Sequence, residues 1–253
     1  MKITFLGTGT SQGVPVIACN CPVCLSENSK DKRLRCSIMV EDKGKVIVID
    51  TGPDFRQQML REKVQQLDAA VFTHEHKDHI AGLDDVRAFN FKQKKDMEVY
   101  ASSATQVALK REFYYAFAEN PYPGVPKINL NTIADVPFNI GDVELLPINV
   151  WHHKMPVKAF RIGKFTYITD ANRIEEKELD KVMGSEVIVV NALRKTEHIS
   201  HFNLDEAIAL IEKIKPKKAY LTHISHYLGL HDEVQKELPD YIQIAHDGLV
   251  LNL

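Results

Sequence analysis

Four side chains able to ligate a metal, His74, His76, Asp78 and His79, stand within the six residues 74–79. They follow Ala69-Ala70-Val71-Phe72, an apolar run of strand length that ends at Thr73. Side chains alternate across a strand, so His74 and His76 leave its end on one side and can grip one ion. A turn after them lets Asp78 and His79 face a second. Imidazole and carboxylate donors suit zinc, manganese or iron. The plain alternative is a solvated polar loop, and so dense a cluster directly after a buried strand argues against it.

The rest of the chain reads as short strands with helices between them. Lys2–Leu6 is a strand running into Gly7-Thr8-Gly9-Thr10, and residues 11–35 form a long polar loop. Ser37–Val40 and Lys45–Asp50 pair across Asp42-Lys43-Gly44. Pro53 opens a helix to about Glu62. Residues 103–118 have helical spacing through Val107, Leu109, Phe113 and Phe117, and the Pro- and Asn-rich 119–139 reads as a covering loop. Val143–Val150, Ala159–Ile162 and Phe165–Thr169 are strands, the last two a hairpin across Gly163-Lys164. Glu175–Met183 is a helix and Glu186–Val190 a buried strand. Asn203 caps a helix with Glu206 three residues on, and Pro216 stops it. Lys218–Thr222 is a strand, and 241–244 with 249–252 reads as a closing hairpin around Asp247-Gly248.

At 253 residues, without a linker or a short repeat, residues 1–253 are expected to form a single domain. A net charge of −2 leaves no global footprint for nucleic acid. The N-terminal apolar run is too short for a signal peptide, and no stretch approaches the roughly 20 apolar residues of a membrane span. The expected location is the cytoplasm. In that reducing setting Cys19, Cys21 and Cys24 suggest a metal more than disulfides. Cys36, on a strand, reads as core. His231 and His246 have no motif. Gly7-Thr8-Gly9-Thr10-Ser11 reads as a tight turn sooner than an anion cradle, and Lys92–Lys95 as a solvated face.

The run Thr73-His74-Glu75-His76-Lys77-Asp78-His79 after a strand resembles the signature of the metallo-β-lactamase superfamily, and the likeness extends along the chain. It implies a four-layer αββα sandwich with two divalent ions, Zn or Mn, at one sheet edge. Later strand ends then offer the remaining ligands. These are His152 or its neighbour His153, with His152 preferred because Lys154-Met155-Pro156 follows; Asp170 as a bridging carboxylate; and His223. Asp50, after Val46–Ile49, would support the ligands by hydrogen bonding. A bridging Asp170 in place of a cysteine points toward phosphodiester chemistry.

Within that superfamily, Cys19, Cys21 and Cys24 with Thr222-His223-Ile224-Ser225-His226 are similar to the phosphoribosyl cyclic phosphate phosphodiesterases. That likeness implies an additional structural zinc on Cys19, Cys21, Cys24 and His226, held by the loop at about 11–35. It also implies a general acid at His201, with His198 the weaker alternative, and puts Asp78 beside His201 among the catalytic residues. The expected reaction is hydrolysis of a small cyclic or linear phosphodiester by a water activated between two metals. Residues 50–56 and 88–130 depart from that group, so pocket specificity does not carry over. The rivals are a tRNA 3′-end nuclease, which would need a basic arm, a thioester hydrolase, which would need a helical C-terminal domain, and a non-catalytic metal-binding module. A homodimer is the default expectation.

Overall fold

The computed structural model describes residues 1–253. In chain order the elements are β1 (Lys2–Gly7), α1 (Pro22–Leu25), β2 (Ser37–Asp42), β3 (Lys45–Ile49), α2 (Phe55–Arg61), β4 (Ala69–Val71), α3 (Lys77–Ile80), α4 (Arg87–Gln93), β5 (Met97–Ala101) and α5 (Ser103–Glu112). Then come β6 (Ile128–Thr132), β7 (Phe138–Ile140), β8 (Val143–His152), β9 (Met155–Ile162), β10 (Phe165–Ile168), β11 (Arg173–Ile174), α6 (Glu176–Val182), β12 (Val187–Asn191), α7 (Leu204–Ile214), β13 (Lys218–Thr222), α8 (His231–Gln235), β14 (Ile242–Ile244) and β15 (Val250–Asn252). No helix is long and apolar enough to cross a membrane.

Two mixed sheets stack. One runs β15-β1-β2-β3-β4-β5-β6; the other runs β11-β8-β9-β10-β12-β13-β14, with β7 paired to β8. The central strands are apolar on both faces because each face meets a different layer. On β12, Val187 and Val189 point between the sheets, while Ile188 and Val190 point outward under α6 and α7. On β3, Ile47 and Ile49 join the inter-sheet core, while Val48 meets the outer cluster with Phe55 of α2 and Phe89 of α4. Helix, sheet, sheet and helix form the four-layer sandwich.

Chain direction positions the site. β3 to β6 run parallel, as do β10, β12, β13 and β14. β8 and β10 are both antiparallel to β9, so β8 ends at the same edge as β10. Asp50, Thr73, His152, Asp170 and His223 therefore all stand at C-terminal strand ends. Open α/β sheets bind ligands at that edge.

Several local expectations are corrected. Residues 119–139 are no plain loop: β6 lies along the edge of the first sheet and β7 begins the second. The 103–118 helix ends at Glu112, and Val107 is exposed. The helix after Pro53 starts at Phe55. The closing hairpin does not exist. β14 pairs parallel with β13, and β15 pairs antiparallel with β1 in the other sheet, so Asp247-Gly248 carries the chain across the sandwich. The capping box on α7 is present as expected.

Candidate metal centre

After β4 the chain stays extended through His76 and then enters α3. Thr73 sits over Asp50, which ends β3 in a left-handed conformation, φ 66°. The buried Asp50 carboxylate accepts from the Thr73 amide at 2.8 Å, the Thr73 hydroxyl at 2.8 Å and His79 Nδ1 at 2.7 Å. Donating to Asp50 leaves the Thr73 oxygen to accept from His74 Nδ1 at 2.9 Å. His152 Nδ1 donates to the Ser200 carbonyl at 2.9 Å. In all three rings the Nδ1–H is engaged, which assigns the tautomer and leaves Nε2 with a lone pair for a ligand. His74 Nε2 and His79 Nε2 are buried with no hydrogen-bond partner, as are both nitrogens of His223. Buried imidazole nitrogens with no hydrogen-bond partner, set beside carboxylates, fit a bound cation.

Asp170 ends β10, also left-handed at φ 54°. Its Oδ1 lies 3.0 Å from His223 Nε2 and its Oδ2 3.2 Å from His79 Nε2. Asp78 Oδ2 is 3.2 Å from the same His79 nitrogen. Donor atoms of Asp78, His79, Asp170 and His223 all lie within 4.8 Å of one another, and so do those of His152, Asp170 and His201. The rings of His74, His76 and His152 close the near side, with centroids 4.7 to 6.0 Å apart. These His/Asp clusters fit a divalent metal site. His153 stands outside them: His152 pairs with Met155, which makes His153-Lys154 the exposed hairpin tip, with His153 at φ 57°.

Electrostatics follow from burial. Burial opposes charging His79, but Asp170, Asp50 and Asp78 together hold it well above the usual histidine range. Burial raises the Asp50 carboxyl against His79 and Thr73. Burial holds His74, His152, His198, His201 and His231 down, with His201 at about 2 and His231 at about 4. A depressed histidine takes its proton only on unfolding, so its stabilising effect is present above the usual pKa and is lost as pH falls through it. His79 and Asp50 act the other way, losing their effect as pH rises. Five histidines against His79, Asp50 and the likewise raised Asp247 set the sign between about pH 7 and 5. The chelated protein should melt roughly 10 °C lower at pH 5 than at pH 7.5. A scanning-calorimetry midpoint that is flat or rises on acidification would contradict this.

A second cluster lies close by. Cys21 is the N-cap of α1, and its sulfur accepts from the Cys24 amide. Cys24 Sγ accepts from the Val16 amide at 3.3 Å. The three sulfurs of Cys19, Cys21 and Cys24 stand 3.3, 3.3 and 3.5 Å from His226 Nδ1. Burial raises both thiols' pKa values. In Cys21 the amide of Cys24 and the ring of His226 outweigh it and bring the thiol down to about 6; in Cys24 burial and its neighbours push it up to about 11. Three soft sulfurs and one imidazole nitrogen converge, a ligand set that fits a tetrahedral zinc site. Reading the sequence alone missed the hydroxyls: a threonine directly precedes His74, Asp170 and His223, and all three are buried.

A family model for a β-lactamase superfamily domain matches residues 45–224. A solved diphosphatase of the PhnP family is 39% identical over 99% of this chain and 96% of its own, with a TM-score of 0.93. The octanoyltransferase of Porphyromonas gingivalis is 38% identical over 98% of this chain but 51% of its own, so this chain spans about half the length of that relative. The short form of human tRNase Z superposes with a TM-score of 0.69 at 17% identity, covering 100% of this chain and 99% of that one, a likeness of fold alone.

Proposed function

Because the chain belongs to the β-lactamase superfamily as a metal-dependent hydrolase, we propose that it is a binuclear phosphodiesterase acting on small cyclic or linear phosphodiesters. The observation that carries this reading is Asp170, the one residue common to two groups of converging donors, with Asp78, His79 and His223 in one and His152 and His201 in the other. A carboxylate so placed suits a bridge between one ion on His74, His76 and His152 and another on Asp78, His79 and His223. Zinc or manganese fits those donors. Such ions supply Lewis acidity, which makes hydroxide available near neutral pH and offsets phosphate charge.

The protein's own groups do the rest. Every ion-pair partner of Asp50, Asp78 and Asp170 is a histidine. With no lysine or arginine on these carboxylates, the site by itself repels an anion, and its affinity for phosphate depends on the bound cations. That arrangement suits the single charge of a diester better than the double charge of a monoester. Asp50 and Thr73 keep His79 and His74 in the ligating tautomer. His201 stacks on His223 at 4.7 Å and meets the His152 ring at 4.5 Å, within reach of a leaving oxygen. Burial is the main cause holding its pKa down. As general acid, His201 would donate a proton to the leaving alkoxide.

Identity to a diphosphatase favours one second reading, hydrolysis of a phosphoanhydride, which needs the same in-line displacement at phosphorus. Elemental analysis beside assays on bis-p-nitrophenyl phosphate and on a diphosphate diester, each with and without manganese, tests both. We expect about three metals per chain, one of them zinc that survives mild chelation, and turnover of the phosphodiester. Turnover of the diphosphate alone would move the assignment to the second reading. No metal and no turnover under any reconstitution would leave a binding module.

A further inference from the structure

Cys36 and the threonines before Asp170 and His223 form a polar cluster that the hydrolytic scheme does not use. Cys36 stands just ahead of β2 in the first sheet, and its thiol is buried where the two sheets meet. Its sulfur lies 3.2 Å from the Tyr167 hydroxyl and 3.2 Å from the Thr222 hydroxyl. The Thr169 hydroxyl lies 3.7 Å from the same sulfur and donates to Asp170 Oδ2 at 2.7 Å. Tyr167, Thr169 and Thr222 all belong to the second sheet, at or beside the ends of β10 and β13, and are fully buried. Burying a thiol and three hydroxyls in an otherwise apolar interface is unfavourable unless each finds a partner. Here they satisfy one another.

The geometry points to Thr169 and Cys36 as positioning residues: a thiol–hydroxyl chain across the two sheets fixes which way Asp170 Oδ2 faces. The Thr169 hydroxyl faces two acceptors, Asp170 Oδ2 at 2.7 Å and the Cys36 sulfur at 3.7 Å, so it donates mainly to the carboxylate while the sulfur backs it from the other sheet. The same sulfur touches the hydroxyl next to His223. One buried atom from the first sheet thus braces the strand ends carrying two of the proposed ligands. Bracing is needed because Asp170 and His223 both sit in the left-handed region, at φ 54° and 55°, which non-glycine residues occupy only where surroundings hold them. Without the Thr169 hydroxyl, Oδ2 loses its fixed donor and the carboxylate is free to turn.

This inference rests on the reading of Asp170 as a metal ligand, so the experiment includes Asp170→Ala. Zinc affinity is measured by competition with a chromophoric chelator for the wild type, Thr169→Val, Thr169→Ser, Cys36→Ala and Asp170→Ala. The visible absorption of the cobalt(II)-loaded protein is recorded for each, apart from the thiolate charge-transfer bands. Thr169→Val should weaken binding at the His/Asp site by roughly 10- to 100-fold and shift the cobalt bands, the range seen when a partner of a ligand is lost. Thr169→Ser, which keeps the hydroxyl, should stay within about threefold with unshifted bands, and Cys36→Ala should fall between. If Thr169→Val does not fold, Thr169→Ala removes the same hydroxyl without a new methyl against the thiol. Weakening in Asp170→Ala with wild-type behaviour in Thr169→Val would overturn the positioning role and leave the ligand. Wild-type affinity in Asp170→Ala would overturn the ligand reading itself. Wild-type behaviour in Cys36→Ala alone would end the chain at Thr169.

Discussion

Replacing Asp170 by alanine should lower phosphodiester turnover about a thousandfold, with the loss mainly in kcat, and should reduce the metal content of the purified protein. The magnitude follows from what the carboxylate does. It balances His79 and His223 at 3.2 and 3.0 Å, and its removal leaves two buried imidazoles without their shared anion. Transition-state charge stabilisation by a metal is worth several kcal/mol, and about 4 kcal/mol corresponds to about a thousandfold in rate. Two neighbours calibrate the result. His152→Ala should fall in the same range, since its ring closes the near side of the site. His153→Ala, at the exposed hairpin tip, should stay within about twofold, as surface changes away from a site do. Steady-state kinetics on bis-p-nitrophenyl phosphate decides. An Asp170→Ala enzyme within tenfold of wild type would refute the binuclear assignment.

How far the sequence reaches can be judged from those same residues. The cluster at 74–79 is legible because its information is local: ligands, strand and turn all fall within a dozen residues. Asp170 and His223 are legible as polar residues ending apolar runs, the form a strand end takes at an open edge. The preference for His152 over His153 rests in the sequence on Lys154-Met155-Pro156 alone, because both histidines follow the same strand. Strand alternation favours the same residue: Ile148 and Val150 face the outer core under α6 and α7, and His152 is the next residue in that register. What stays hidden is non-local. The alternation in 241–252 marks strands truthfully but names no partner, so a turn at Asp247-Gly248 reads as a hairpin although the two strands join different sheets. β6 is hidden for another reason. As an edge strand it is only half covered, and its sequence Ile-Asn-Leu-Asn-Thr has the polarity of a loop. Cys36 reads as core and is buried, but no pattern in the chain announces the hydroxyls it meets.

Removing one thiolate from the second cluster should have the largest effect on stability. Residues 8–36 hold little of their own. Their apolar cluster consists of Val14, Val23 and Cys24, far short of a core able to offset the entropy of ordering so long a segment. Besides the cysteine cluster, polar contacts hold them, among them Leu34 on Asp247, Arg35 on Asp54, Asp31 on the His231 amide and, deepest, the buried Arg33. Its guanidinium donates to the Thr8 hydroxyl at 2.8 Å and the Ala245 carbonyl at 2.6 Å and meets His231 Nδ1 at 3.1 Å. A structural zinc on four such donors contributes on the order of 10 kcal/mol in small zinc-folded peptides, an upper bound inside a larger domain. Cys21→Ser should therefore lose one zinc per chain, melt about 10 °C or more below wild type, and become sensitive to proteolysis within residues 11–35. The loss should also reach the reaction. His226 is three residues from His223, and between them the Ile224 amide donates to Thr8 and its carbonyl accepts from Thr10. Loosening this segment tilts His223 away from Asp170, so turnover should fall about tenfold, well short of the Asp170→Ala loss, because His223 itself remains. Zinc content, melting and limited proteolysis read the first effect, and kinetics on protein reloaded with manganese reads the second. Unchanged zinc content in Cys21→Ser would remove the structural zinc from the account and leave Arg33 and the contacts of Asp31, Leu34 and Arg35 to hold the loop.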